Sequence, residues 1–430
     1  MLGLVQSLGL LLVASIILAR RMRQHARWEQ RLLWASLFAH YASAFAVIAI
    51  TKYYYGDGDM LGYHRSGGVI AQHLVTDFDG VAPRLVALLF QTGGEDLVLY
   101  GGGTATGSMH AVAAFLSVPF NNSLVAICTF LGLLAFFSKL AIYRVLRAEL
   151  APQYWRLVLI ATMLVPSVVF WSSGLIKEAL AIIFLGPMIA GGYGLFRGNM
   201  RAFSLVLLGV GVVGCGIFKG YLLVPFALGG AVFVYVDRSR NSSRSLLGSP
   251  TRLILAGAAA FALLIAIGSV LPRYDFREAQ DQFEHETAQA ENVSGGSNYA
   301  AISQNPGSTL SLVVNAPWAI TTSLLRPFIF EARNPLALVN GLETLFLAIL
   351  LFRVFSRTGA KRSLSLITNS RLLSFCAIFT LILALGVGFS TSNLGTLSRY
   401  RMPLVPFFVT VLAVLSTKHN TAPKRSSLVR

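Results

Sequence analysis

Apolar windows close to the roughly 20 residues needed to cross a bilayer recur along this chain, and short arginine-rich turns separate many of them. That alternation leaves few folds open. In lipid every backbone N–H and C=O must find its partner within a helix or a closed barrel, and windows of this length fit helices. Only 12% of the residues are charged and 55% are hydrophobic, with a mean hydropathy of +0.66, whereas a soluble chain carries about a quarter charged residues. We expect an all-α, polytopic integral membrane protein with one transmembrane domain over residues 1–430.

Leu2 to Ala19 is followed, not preceded, by Arg20, Arg21, Arg23, Arg27 and Arg31. A signal peptide has its positive charges first, so this reads as a retained span with its N-terminus outside and its arginines in the cytoplasm. Further crossings are expected at 32–54, 123–143, 157–171, 179–196, 202–218, 221–236, 253–271, 335–352, 372–389 and 402–415, about eleven in all. Between them lie two large outer loops, residues 55–120 and 272–333. The first has apolar pieces too short to span, read as interfacial or re-entrant helices. The second is acidic up to Ser308, and its Leu310–Phe330 part, with Pro317 and Pro327, reads as a helix at the membrane lip.

The net charge of +17 first suggests nucleic acid. In this topology, however, most of the 35 Lys and Arg residues fall on the cytoplasmic side, where only Glu29, Glu149 and Asp237 of the 18 acids lie. The basic excess is thus mostly topology, and no nucleic-acid partner is expected. Cys128, Cys215 and Cys376 each sit inside an apolar window with no paired spacing, and read as core fillers.

The ionisable residues that interrupt apolar sequence gather on the outer face. Asp57, Asp59, His64 and Arg65 follow the second crossing. Lys177 and Glu178 end the turn after Trp171, and Lys219 sits in the next outer turn. Arg326, Glu331 and Arg333 follow the lip helix, and Arg399, Tyr400 and Arg401 precede the last crossing. Each group also has a plainer reading. Gly56-Asp57-Gly58-Asp59 is good turn chemistry, Lys177 and Glu178 suit the start of a helix, and Arg399 and Arg401 border a span, although arginines on the outer flank run against the charge trend. His64 has no second ligand at a telling spacing for a metal. Glu343 and Lys139, inside crossings, read as paired helix-packing residues. Together the outer groups are expected to form an acidic and a basic part of one cavity: guanidinium and ammonium groups for a phosphate, and a carboxylate to take a proton from a hydroxyl.

The acidic pair in the first outer loop, the segment Pro166 to Glu178 reading PSVVFWSSGLIKE, and the Arg-Tyr-Arg-Met-Pro entry to the last span resemble polytopic GT-C-type glycosyltransferases that use polyprenyl-phosphate-linked sugars. That resemblance implies a GT-C-like fold in a bacterial inner membrane, with the active site on the extracytoplasmic face. It makes Asp57 or Asp59 the base, with Asp57 slightly favoured for lying nearer the helix end. Arg399, Arg401, Arg326, Lys177 and Lys219 would bind the donor phosphate. His64, Arg65, Glu178, Glu331, Arg333 and Tyr400 would line the substrate. No cofactor is required, and a divalent cation, Mg²⁺ or Mn²⁺, between the aspartates is compatible but not demanded. The acids follow the second crossing rather than the first, so either Leu2–Ala19 is an added N-terminal helix or it does not cross. Two alternatives stand beside this reading. One is an O-antigen-type polymerase or ligase acting on diphosphate-linked glycans through arginines. The other is a lipid-linked glycan transporter or flippase, which would place charge at the bilayer midplane between related halves.

Overall fold

A computed structural model describes residues 1–198, 201–241, 309–391 and 393–417, and every extended element among them is a helix. The expected crossing at 253–271 and the acidic part of the second loop, 272–308, lie outside the described residues. Among the described residues, eight helical stretches are long and apolar enough to cross a membrane.

Helix α1 (Leu2–Arg21) and α2 (Arg27–Ala49) are joined by the arginine-rich turn, and a wider π-type turn, Ile50–Tyr55, extends α2. Three shorter helices follow: α3 (Asp59–Thr76), α4 (Phe78–Leu89) and α5 (Ala105–Ser117). They are the short pieces expected in the first loop, and they enclose a small core of their own around Ile70, Leu74, Val81, Leu85, Leu88 and Ala111. Asp77 and Thr104 cap α4 and α5 by accepting from Gly80 and Thr106 N–H, which satisfies donors left open at a helix start. Gly67 lets α3 lie against α5: a Cβ there would sit 2.7 Å from the Ala113 carbonyl carbon.

Helix α6 (Leu124–Glu149) starts at the Ser123 cap and is buried over most of its length. The next crossing is not continuous, as expected from 157–171, but splits into α7 (Pro152–Met163) and α8 (Pro166–Trp171). Pro166 has no N–H to continue the ladder and disfavours helical backbone before it. Helix α9 (Lys177–Phe196) and α10 (Ala202–Lys219) pack backbone to backbone. A Cβ at Gly191 would lie 2.6 Å from the Ser204 carbonyl oxygen, and one at Gly211 would lie 2.5 Å from Met188 Cα. Small residues at such a seam allow the close van der Waals approach that joins helices in lipid.

The chain reverses at Gly220–Leu222 into α11 (Leu223–Asn241), so the apolar stretch Ala202–Asp237 holds both helices of the expected pair. Then come α12 (Thr309–Leu325), α13 (Pro335–Arg357), the short α14 (Ala360–Thr368), α15 (Arg371–Ser390), α16 (Leu394–Tyr400) and α17 (Val405–Ser416). Helix α12, expected at the lip, packs along α15, with the Ala319 backbone against Gly388. Helix α17 lies in the centre of the main core, every residue from Val405 to Leu415 being buried, whereas α1 and α13 present Leu4, Val5, Leu8, Leu342, Phe346 and Ile349 outward.

Side-chain contacts sort the helix ends onto two sides. At one, Tyr143 donates to Glu29 at 2.6 Å and Arg147 pairs with Glu29 at 3.1 Å. Glu149 accepts from Tyr193 and pairs with Arg371, which also holds Asp237. The three acids expected on the arginine-rich side are therefore the ties between α2, α6, α9, α11 and α15. The first residues of α9 and the last of α10 meet at the opposite end, together with α3 and α16.

Candidate functional site

Gly56 at φ +78° and Gly58 at φ +148° turn the chain sharply after α2, backbone values that favour glycine. The two aspartates between and after them leave in different directions. Asp57 pairs with Arg65 at 2.8 Å, both side chains two-thirds exposed. The Gly58 N–H and Arg65 hold the Asp57 carboxyl below its usual range. Asp59, the first residue of α3, instead turns toward α16, and its Oδ2 lies 3.5 Å from Arg399 Nη2.

Arg399 joins two acids. The same Nη2 donates to Glu178 Oε2 at 3.0 Å, and Lys219 Nζ stands 3.4 Å from the other oxygen. Glu178 is buried while Asp59 is 59% exposed. One carboxylate is thus locked inside the cluster and one faces out. Aromatic rings wall the cations: Lys219 lies 4.0 Å from the Tyr400 ring centroid and Arg399 lies 5.3 Å from that of Trp171, a favourable placement for a positive charge over a π face. Arg399 Nε is buried without a hydrogen-bond partner among the described residues, so the guanidinium keeps a donor to spare.

Beside this cluster Lys177 donates to Thr106 Oγ1 at 2.7 Å, and Thr106 also meets the Tyr63 phenol. Burial, and then the Asp59 charge, pushes Tyr63 above the usual phenol range. His110 is fully buried, with its ring edge-on to Tyr63 and Tyr100 at 5.2 and 5.0 Å and both ring nitrogens unpartnered among the described residues. Burial, followed by Lys177, pushes it down to about 4. The sequence reading did not single out Tyr63, Thr106, His110 or Trp171 as site residues. Tyr63 was within reach of it, since it stands one helical turn after Asp59 on the same face.

Other expected residues stand apart. Arg401 is fully buried, donates to the Arg326 carbonyl at 2.5 Å and lies 3.8 Å from Glu343. Two positions apart on a short helix, Arg399 and Arg401 point to nearly opposite sides. Arg326 is engaged with Glu331. Burial opposes the Glu331 charge, but Arg326 and the Phe328 N–H outweigh it and hold the carboxyl below its usual range. His64 meets the Asn122 carbonyl at 2.9 Å, and Arg333 is exposed. Asp57 and Asp59 face different arginines, and no three His, Cys, Asp or Glu side chains group to hold a metal among the described residues.

No family model, curated protein or solved structure matches the chain. What the site can do therefore rests on its own chemistry. Lys177, Lys219 and Arg399 outnumber Asp59 and Glu178, so the cluster has cationic character to offer an anion, with one solvent-facing carboxylate at its edge. Phosphate recognition beside proton acceptance is the combination these groups provide.

Proposed function

We propose that the protein is an integral membrane glycosyltransferase that moves a sugar from a polyprenyl-phosphate donor to a hydroxyl of an acceptor glycan, lipid or protein. One observation carries this reading: the exposed Asp59 carboxylate lies beside Arg399, which shares a basic, aromatic-walled cluster with Lys219, and Lys177 stands beside it on Thr106. In the reaction Asp59 accepts the proton of the acceptor hydroxyl, and the hydroxyl oxygen forms a bond to the anomeric carbon with inversion. The bond from that carbon to the phosphate oxygen breaks, and polyprenyl phosphate leaves with its negative charge held by Arg399, Lys219 and Lys177. Asp59 rather than Asp57 takes the base role, because only Asp59 reaches the cationic cluster. Arg401 and Arg326, engaged with each other, shape the neighbouring wall. The charge rule, by which the arginine-rich end faces the cytoplasm, supports an extracytoplasmic site, and the bacterial plasma membrane is what the glycosyltransferase resemblance implies.

The test is release of free polyprenyl phosphate from a panel of polyprenyl-phosphate sugars by the purified protein. Asp59→Asn is expected to slow transfer by about 10²-fold or more, the contribution of a positioned base, and Asp57→Asn to leave it within about threefold. If both variants transfer at the wild-type rate, an arginine-led polymerase or ligase replaces this reading. Movement of a lipid-linked glycan across proteoliposomes without covalent change would replace it with transport.

A further inference from the structure

Two buried ionisable side chains take no part in the chemistry above. Lys139 lies within α6 and Glu343 within α13, and the structure gives them not each other but the two ends of one short helix, α8. At its start, Glu343 accepts from the Ser167 backbone N–H at 3.2 Å and from Ser167 Oγ at 2.7 Å. At its end, Lys139 Nζ donates to the Val168 carbonyl at 3.0 Å and to Ser172 Oγ at 2.8 Å, and the Ser172 hydroxyl in turn donates to the Val168 carbonyl at 2.7 Å. An acceptor stands where helical N–H groups are open and a donor where carbonyls are open, which is the sense the helix dipole favours. Lys139, Ser167, Ser172 and Glu343 are all buried, so water cannot take over these contacts.

Helix α8 carries Trp171, the ring against Arg399. The turn that leaves it, Ser172 to Ile176, starts α9 with Lys177 and Glu178. We infer that Lys139 and Glu343 are positioning residues, a two-ended clip on α8 that sets where Trp171, Lys177 and Glu178 stand relative to Arg399. This rests on the phosphate reading of that cluster. Glu343 is also 3.8 Å from Arg401, so the clip joins α8 to the segment that places Arg399 two residues earlier.

Cross-linking reads the clip without any substrate. A side chain at Gly174 would lie 3.4 Å from a Val47 methyl and 3.5 Å from Met60 Sδ, so Val47→Cys with Gly174→Cys forms a disulfide when the turn is in place. The full chain is used in detergent with Cys128→Ala, because Cys128 Sγ is 3.8 Å from Met60 Sδ and would compete. Lys139→Met and Glu343→Gln are expected to slow disulfide formation by about fivefold or more, and the milder Ser172→Ala and Ser167→Ala by about twofold. The serine variants carry the test if either charge variant fails to fold. Unchanged rates in all four overturn the inference. In parallel, polyprenyl phosphate is titrated: its affinity is expected to fall about fivefold in the variants that slow cross-linking. Slower cross-linking with unaltered affinity also overturns it. Arg399→Gln separates the two readings. If that variant binds polyprenyl phosphate like the wild type, the phosphate reading fails, while cross-linking still judges the clip.

Discussion

Glu178→Gln is expected to move stability and ligand affinity in opposite directions. The wild-type carboxylate, 3% exposed, holds Arg399 at 3.0 Å and Lys219 at 3.4 Å. A neutral amide of the same shape keeps the packing but leaves Lys219, 9% exposed, without its carboxylate, while Arg399 retains Asp59. Breaking one side of a buried pair costs about 3–5 kcal/mol. With Arg399 a quarter exposed and still facing one acid, the lower end, about 3 kcal/mol, is expected for unfolding in mixed micelles followed by tryptophan fluorescence. The same change removes the anion that competes with a phosphate for both cations. A unit charge at 4 Å is worth about 4 kcal/mol at an effective dielectric of 20, and solvent at this half-open site screens most of it. A gain of about tenfold in polyprenyl phosphate affinity, or about 1.4 kcal/mol, is therefore expected by calorimetric titration. A variant that loses stability and affinity together would refute the reasoning, because the cations would then owe their position, and not their neutralisation, to Glu178. Stability within about 0.5 kcal/mol of wild type would refute the buried-pair argument itself.

Two other outcomes follow from the same geometry. His110, held down to about 4, stays neutral in the folded protein between roughly pH 6.5 and 4 while the unfolded chain takes up a proton. Its contribution is present above pH 6.5 and lost as pH falls through that window, up to roughly 3 kcal/mol, and His110→Phe should flatten the dependence in a pH series of unfolding midpoints. Gly67→Ala puts a methyl group against the Ala113 backbone, so α3 and α5 must separate, at about 1–3 kcal/mol. Because α3 begins with Asp59, that variant should also slow transfer, whereas Gly209→Ala, which meets nothing within 4 Å, should change neither.

The bundle was legible in hydropathy because lipid demands paired backbone over a fixed thickness, and the charge of the turns gave the sorting of helix ends. The break at Pro166 was legible in principle, since Leu164-Val165-Pro166 carries its own stop signal. It was missed because the apolar run continues across it. That Asp57 and Asp59 meet different arginines was beyond local reasoning. The two differ only in which way a pair of glycines turns the chain, and the partner that distinguishes them, Arg399, is 340 residues away. For the same reason Arg399 and Arg401 looked equivalent in sequence, although one lines the site and the other is sealed behind it. Lys139 and Glu343 were expected to pair, as two opposite charges among apolar residues suggest, yet each found a helix end.

The seam between α9 and α10 acts as a vernier for the site. Lys177 and Glu178 open one helix and Lys219 closes the other, so the spacing of these three groups is fixed by how the two backbones index against each other along the whole span. Gly191 and its contact with Ser204 lie 14 residues from Lys177, roughly 21 Å at 1.5 Å per residue. A bulkier residue there, at the far side of the bundle, would slide one rod along the other and carry Lys219 away from Glu178 with no substitution at the site itself.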